Sequence, residues 1–491
     1  YAQFPTRGFP ETYTVPVGGG AARMVTPTPL QAGVFDPKGT RILYQDIKGG
    51  ENAWRKHQTS AVAKDIGLYD LATKRFRTLT TNPGDDRNPV FGPDGDRFYF
   101  LSERNGGAFN VYRSSLSDPS KAVAVTRFAK HPVRFLSAAA DGTLAFAWDG
   151  ELYTQKGEGA PKKVDIRIQV DPARAQERYV PVNSGLTELE VSPTGKEVAF
   201  VVRGEVYVSS LEGGHTRRIT DTPGQERSVG FSPDGRTLVY AGERDGSWNI
   251  YSARIVRKDE PAFYAASQIE EKALVATPAD EFQPLFSPDG KELAYLEERT
   301  TLKVLNLASG KSRTAMPGDR NYSYADGDQD FSWSPDGRWL ACGINVGLGW
   351  LRDVAVVAAD GSGKRVNLSR SGHLDVRPRF SQDGSLVYWA TDREGYRNLN
   401  QQSATLDIHG LFLTQKAFDR HQLTKEEFAL VKEREDKEAK DKAKEEKKDE
   451  KKEDRKEVVI EWEGLEDRRV RLSAHTAELG DALLSRNGEK L

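Results

Sequence analysis

The sequence predicts an all-β chain built from four-stranded β-propeller blades, and three observations predict it. A four-residue turn recurs at blade spacing, apolar β-forming runs flank the copies, and no 3.6-residue apolar period competes over most of the chain. The turn is identical at Ser232-Pro233-Asp234-Gly235, Ser287-Pro288-Asp289-Gly290 and Ser334-Pro335-Asp336-Gly337. Looser copies are Asp36-Pro37-Lys38-Gly39, Gly92-Pro93-Asp94-Gly95, Ala140-Asp141-Gly142, Ser192-Pro193-Thr194-Gly195 and Ser381-Gln382-Asp383-Gly384. Their glycines are on average about 49 residues apart, the length of one blade.

Each strand follows from this frame. The first ends on an apolar residue four before the glycine: Phe35, Phe91, Val191, Phe231, Phe286, Trp333 or Phe380. Proline presets the turn, aspartate bonds back to nearby amides, and glycine takes positive φ. The second strand is the apolar cluster that follows, as in Phe98-Tyr99-Phe100 and Leu238-Val239-Tyr240. A polar turn such as Glu243-Arg244-Asp245-Gly246 then leads to the third strand, Trp248-Asn249-Ile250-Tyr251. A last turn, such as Leu307-Ala308-Ser309-Gly310-Lys311, precedes a short fourth strand of the type Arg218-Ile219-Thr220.

Nine residues before the turn glycine five copies carry an acid: Asp86, Glu226, Glu281, Asp328 and Asp375. Catalysis needs one or two carboxylates rather than one per repeat, so these are read as anchors of each blade's own loop.

The repeat breaks twice. Residues 162–183 are polar and interrupted by Pro172 and Pro181, which places a domain boundary there: 1–172 as the C-terminal part of one propeller and 173–491 as a second. Residues 432–457 hold 12 basic and 12 acidic side chains among 26, the densest part of a charged insertion over 425–457. Glu433 with Lys437 and Asp436 with Lys440 support a helix, whereas like charges at that spacing in the second half favour disorder. Ile460 and its neighbours resume a strand pattern, and Leu484-Ser485-Arg486-Asn487-Gly488 resembles a ninth turn. A start at Tyr1 and a stop three residues past Gly488 read as a chain cut at both ends.

Composition excludes several function classes. The 71 Lys+Arg balance 73 Asp+Glu for a net charge of −2, which gives no electrostatic reason to expect nucleic acid. No stretch approaches the ~20 apolar residues of a membrane span. One cysteine, Cys342, excludes an intrachain disulfide or a multi-cysteine metal site. No Gly-x-Ser-x-Gly elbow occurs, and Asp360-Gly361-Ser362-Gly363-Lys364 lacks the first glycine of a phosphate loop. Asp326, Asp328 and Asp330 begin like a calcium loop, but Phe331 stands where the glycine belongs and Gly337 where the glutamate belongs. The seven histidines form no zinc pattern. No catalytic residue, metal site or cofactor is therefore expected. The one candidate site is Trp54, Arg55, Lys56 and His57 in a long inter-strand excursion, where clustered cations suit a peptide carboxylate at a channel mouth; a solvated loop is the competing reading.

The turn followed by Arg244-Asp245-Gly246-Ser247-Trp248-Asn249-Ile250-Tyr251 resembles the TolB-like propeller repeat. Residues 54–60, His131-Pro132-Val133-Arg134, 188–209 and Gly464-Leu465-Glu466-Asp467-Arg468-Arg469-Val470 are similar to tricorn-like serine proteases, especially the larger bacterial homologues. That resemblance runs over nearly the whole chain. It implies a partial six-bladed propeller followed by a partial seven-bladed one, with helical, PDZ and serine-peptidase domains downstream. It further implies propellers that sieve unfolded peptides toward a buried active site, in a large homo-oligomer needing neither ATP nor metal. The family's catalytic residues would lie beyond Leu491, and its carboxylate-binding arginine pair has no match here, so neither is carried over. An extracytoplasmic (periplasmic) location is favoured over a cytoplasmic one, because bacterial homologues usually carry signal peptides. Two alternatives stay open: a stand-alone TolB-like binding propeller, and the propeller of a prolyl-oligopeptidase-type enzyme such as dipeptidyl peptidase IV.

Overall fold

A computed structural model describes residues 2–3, 10–48, 57, 59, 63–104, 107–157, 159–167, 184–323, 326–346, 351–395, 405–445, 457–476, 479, 481–486 and 488–491. The chain divides into two compact units, Tyr1–Asn183 and Ser184–Leu491. The first holds a three-stranded sheet and three four-stranded sheets, the second five four-stranded sheets, all antiparallel with strands adjacent in chain order. We number the four-stranded blades I to VIII. Blades I–III run from Gln31–Phe35 to Phe76–Thr78, from Asp86–Phe91 to Val123–Ala124 and from Arg134–Ala138 to Lys162–Lys163. Blades IV–VIII begin at Leu186–Val191, Glu226–Phe231, Glu281–Phe286, Phe331–Trp333 and Asp375–Phe380. The fold is all-β, in tandem arrays of propeller blades.

The eight turns from Gly39 to Gly384 each join the first two strands of a blade. In each, the glycine N–H donates to the carbonyl three residues earlier, at 2.8–3.1 Å from Gly39 through Gly384. The serine explains why the copies converge on one tetrapeptide. Ser334 Oγ donates to Asp336 (2.6 Å) and accepts the N–H of Trp339 (2.9 Å), closing the hairpin from inside. Ser232 and Ser287 do the same. Successive turns also stack: a Cβ on Gly290, at φ +70°, would lie 3.4 Å from Pro233 of the turn before.

The apolar residues of each blade are buried between blades rather than within one. Leu43 and Phe98 join blades I and II, Leu101 and Phe146 join II and III, and Leu238 and Val208 join V and IV. Val239, Leu293 and Leu340 form one core across V, VI and VII, and Val356 and Leu411 join VII and VIII. This is face-to-face sheet packing repeated along each array.

The charged insertion falls inside blade VIII, between its third strand, Asp407–Phe412, and its fourth, Arg469–Arg471. Two helices fill it, Gln415–Gln422 and Lys425–Glu445. The second begins with a capping box, Thr424 Oγ1 accepting the N–H of Glu427 while Glu427 accepts the N–H of Thr424. Residues 446–456 of the charged run lie outside the described residues. The run around Ile460 is not a strand. Val458 is instead buried, its N–H bound to Asp336 (2.8 Å), and Trp462 packs edge-on to Trp339. Ser485 and Gly488 form a further turn of the repeat type, against Asp383 of the turn before.

Candidate functional site: the channel of the second unit

The first strands of consecutive blades lie side by side, and in every blade but VII the first strand carries a β-bulge. In blades I, II, III, V, VI and VIII the residue seven before the turn glycine has positive φ: Ala32, Asn88, Phe135, Ser228, Gln283 and Arg377. None is glycine, so each position costs of order 1 kcal/mol and needs a compensating contact. At the bulges of blades II, V and VIII that contact comes from the neighbouring blade. Gln45 of blade I accepts the N–H of Asn88 (2.9 Å) and Asp330 of blade VII accepts the N–H of Arg377 (3.1 Å). Glu188 of blade IV accepts the N–H of Val229 (3.2 Å), next to Ser228. A bulge frees its N–H from the ladder, and here that N–H latches one blade to the next.

The bulges line the openings of the units. In the first unit the cavity is about 670 Å³, lined by Ala32, Asn88, Pro89 and Ala138 among others, with no titratable side chain. In the second unit two cavities of about 480 and 710 Å³ share Glu188, Ser228 and Gly327, so they are two parts of one channel. The smaller is bordered by Glu188, Gln283, Asp330, Arg377, Arg379 and Asp481; the larger by Glu188, Arg203, Glu226, Arg227, Phe282 and Asp326. The titratable groups lining the two parts are carboxylates and arginines, which can hold polar or charged groups.

Burial raises the carboxyls of Glu188 and Asp330 above their ordinary range, opposed by the backbone N–H groups each accepts. The channel cations are partly committed. Arg379 pairs with Asp481 at 3.0 Å, and Arg227 lies 3.6 Å from Asp326 with its guanidinium over Trp248.

Of the sequence candidates, Trp54, Arg55 and Lys56 lie outside the described residues. His57 is described, with φ +56° and its backbone N–H donated to Glu103 Oε2 at 2.5 Å. The recurring acids are loop anchors: Glu226, Glu281 and Asp375 each accept a hydroxyl from the residue four earlier, Thr222, Thr277 and Ser371. Sequence reasoning missed their second partner. An arginine eighteen residues on pairs with the acid in blade II, Arg104 with Asp86 (2.8 Å), and in blade V, Arg244 with Glu226 (3.3 Å). The calcium-like aspartates part company: Asp326 binds Arg299, Asp328 takes the Ser323 hydroxyl, and Asp330 holds Arg377. Among the described residues no group of His, Cys, Asp and Glu could hold a metal ion. Cys342 is buried, which pushes its thiol up to about 12 and leaves it unreactive. Among the described residues no helix is long and apolar enough to cross a membrane.

No family model matches the chain. It is 30% identical over 340 residues to Tricorn protease homolog 1 of Streptomyces coelicolor, covering 67% of this chain and 30% of that protein. It is 24% identical over 360 residues to the Tricorn protease homolog of Saccharolobus solfataricus, covering 71% and 30%. The chain is tricorn-like. It spans about 30% of the length of these tricorn homologues. A third relative is the Probable dipeptidyl-peptidase 5 of Aspergillus clavatus, 24% identical over 366 residues, 71% of this tricorn-like chain and 41% of that protein.

Proposed function

We propose that the propeller units of this tricorn-like chain sieve unfolded peptides and guide them to a serine-peptidase domain outside these 491 residues. The carrying observation is the channel of the second unit, lined by polar and charged side chains on latched strands rather than packed shut. A narrow channel with rigid walls admits an extended chain and excludes a folded one. The excursion carrying Trp54, Arg55, Lys56 and His57 belongs to this proposal as a peptide contact, as do assembly of the full-length protein into a homo-oligomer and an extracytoplasmic location.

The test is binding of a fluorescently labelled, reduced and carboxymethylated small protein, followed by anisotropy. The unfolded form binds, its native disulfide-bonded counterpart does not, and neither is cleaved. Equal binding of both forms, or of neither, refutes the sieve. The dipeptidyl-peptidase relative favours a second reading, the propeller of a prolyl-oligopeptidase-type enzyme. Mass analysis of the protein from its native source separates the two, since the tricorn-like reading requires an assembly of hundreds of kilodaltons.

A further inference from the structure

The two parts of the second unit's channel, about 480 and 710 Å³, have three lining residues in common. They are Glu188 of blade IV, Ser228 of blade V and Gly327 of the connection that enters blade VII, and they mark where one part gives onto the other. Gly327 owes its place to a departure from the repeat. Residues 219–225, 276–280 and 368–374 make the other connections between blades of this unit, and 317–330, between blades VI and VII, is at least twice as long as any of them. Blade VII has three residues of first strand, Phe331–Trp333, where the other four blades have six, and it has no bulge. Gly327, Gln329 and Asp330 border the channel instead of extending that strand.

The detour is held on both sides of Gly327. Asp326 takes the Nε–H of Arg299 of blade VI at 2.6 Å and lies 3.6 Å from Arg227 of blade V. Asp328 accepts the Ser323 hydroxyl at 2.6 Å, and the Gln329 carbonyl accepts the side-chain amide of Gln283 at 2.6 Å. Between these held neighbours Gly327 is exposed, at φ +85°, and a Cβ built on it would meet no atom within 4 Å. Positive φ favours glycine there, and its consequence is a stretch of bare backbone in the channel wall. The other two shared residues are also fixed or small: Glu188 is held by the Val229 N–H, and Ser228 carries a single hydroxyl.

We propose that Gly327 is the size-determining position of this channel, where an extended peptide passes from one part to the other across bare backbone. The inference rests on the peptide-sieving reading and names the position that sets the sieve's gauge. A side chain at 327 would stand in the path, with pinned neighbours on either side to keep it there.

Gly327→Cys tests this, because Cys342 is buried and unreactive, so a maleimide labels the new cysteine alone. The variant is compared with itself before and after alkylation by N-ethylmaleimide. The probe is the labelled, reduced and carboxymethylated protein, and thermal unfolding is measured on both forms. Alkylation weakens probe binding about tenfold or more, and saturating probe slows the alkylation by a similar factor. Loss of binding in the folded variant before alkylation, while the wild type binds, has the same meaning. A thiol that the maleimide does not reach, or alkylation that leaves binding unchanged, overturns the inference and leaves the sieve standing. Alkylation at one rate with and without probe overturns it too. If the wild type does not bind the probe, the sieve and the inference fall together. Should Gly327→Cys not fold, Ser228→Cys carries the same test, since serine already holds φ +56° there and only an oxygen is exchanged for a sulfur.

Discussion

Replacing Glu281 with glutamine should stabilise the second unit at alkaline pH and leave it unchanged in acid. Glu281 has no exposed surface; one oxygen takes the Thr277 hydroxyl and the other has no hydrogen-bond partner. In blade V the corresponding acid, Glu226, receives the arginine eighteen residues on. In blade VI that arginine is Arg299, and it turns instead to Asp280 (3.1 Å) and Asp326 (2.6 Å). Lys303, the other nearby cation, is bound to Glu297 at 2.8 Å. Burial without a guanidinium therefore pushes the carboxyl from 4.5 up to about 7, with Glu297 and Asp280 adding repulsion. A raised acid favours the folded state while protonated. Its contribution is complete below pH 4.5 and is lost as pH climbs through about 7. The interval amounts to about 3 kcal/mol between the two limits. Glutamine mimics the protonated form at every pH. Urea unfolding of the wild type and E281Q at pH 5 and pH 8 should give a difference near zero at pH 5 and one approaching about 3 kcal/mol in favour of the variant at pH 8. A variant no more stable than the wild type at pH 8 would show that Glu281 ionises freely, and the argument from the diverted Arg299 would fail.

Two further predictions concern the joints between blades. Gly290→Ala forces a side chain into φ +70° and against Pro233, and should cost about 1–2 kcal/mol in thermal unfolding; an unchanged midpoint would mean that the stacked turns yield. Asp330→Ala removes the acceptor of the Arg377 N–H and should cost about 1–3 kcal/mol, whereas Asp330→Asn, which retains an acceptor oxygen, should cost clearly less. Equal losses in the two variants would assign the effect to charge rather than to the latch.

The fold was legible because its signal is local and repeated. Ser-Pro-Asp-Gly specifies a turn by its own chemistry, and the serine bond to Trp339 or Thr237 needs nothing from distant chain. The fourth strand of blade VIII was not legible. Two helices separate Arg469–Arg471 from the strand it pairs with, and the run around Ile460, although apolar and β-branched, is used to cover the Asp336 turn instead. The channel was not legible in the sequence. Among its lining residues Glu188, Ser228, Gln283, Asp330 and Arg377 all lie seven before a turn glycine, and they share no side-chain type. What they share is a backbone conformation or a bond to a neighbour's backbone, and neither leaves a mark in composition. Trp54 drew notice because cations cluster around it, a signal of charge rather than of place.

Repetition and function are separable in this architecture. Residues that recur in register, the turn serine, the turn glycine and the acid nine before it, are consumed by their own blade: Asp375 holds Ser371 and Glu226 holds Thr222 whatever passes through the channel. Residues seven before the turn glycine vary and face the opening, and Glu188 and Asp330 are held there by a bond to the next blade. Blade IV offers Glu188 there, blade VI Gln283 and blade VIII Arg377. A ring built this way can alter its lumen one blade at a time without touching the cores between blades. The bulge makes that possible by transferring the demand for a hydrogen bond from the side chain to the backbone N–H, which Asp330 satisfies for Arg377 regardless of what side chain residue 377 carries. Specificity in such a channel is therefore written at the positions where the repeat is silent.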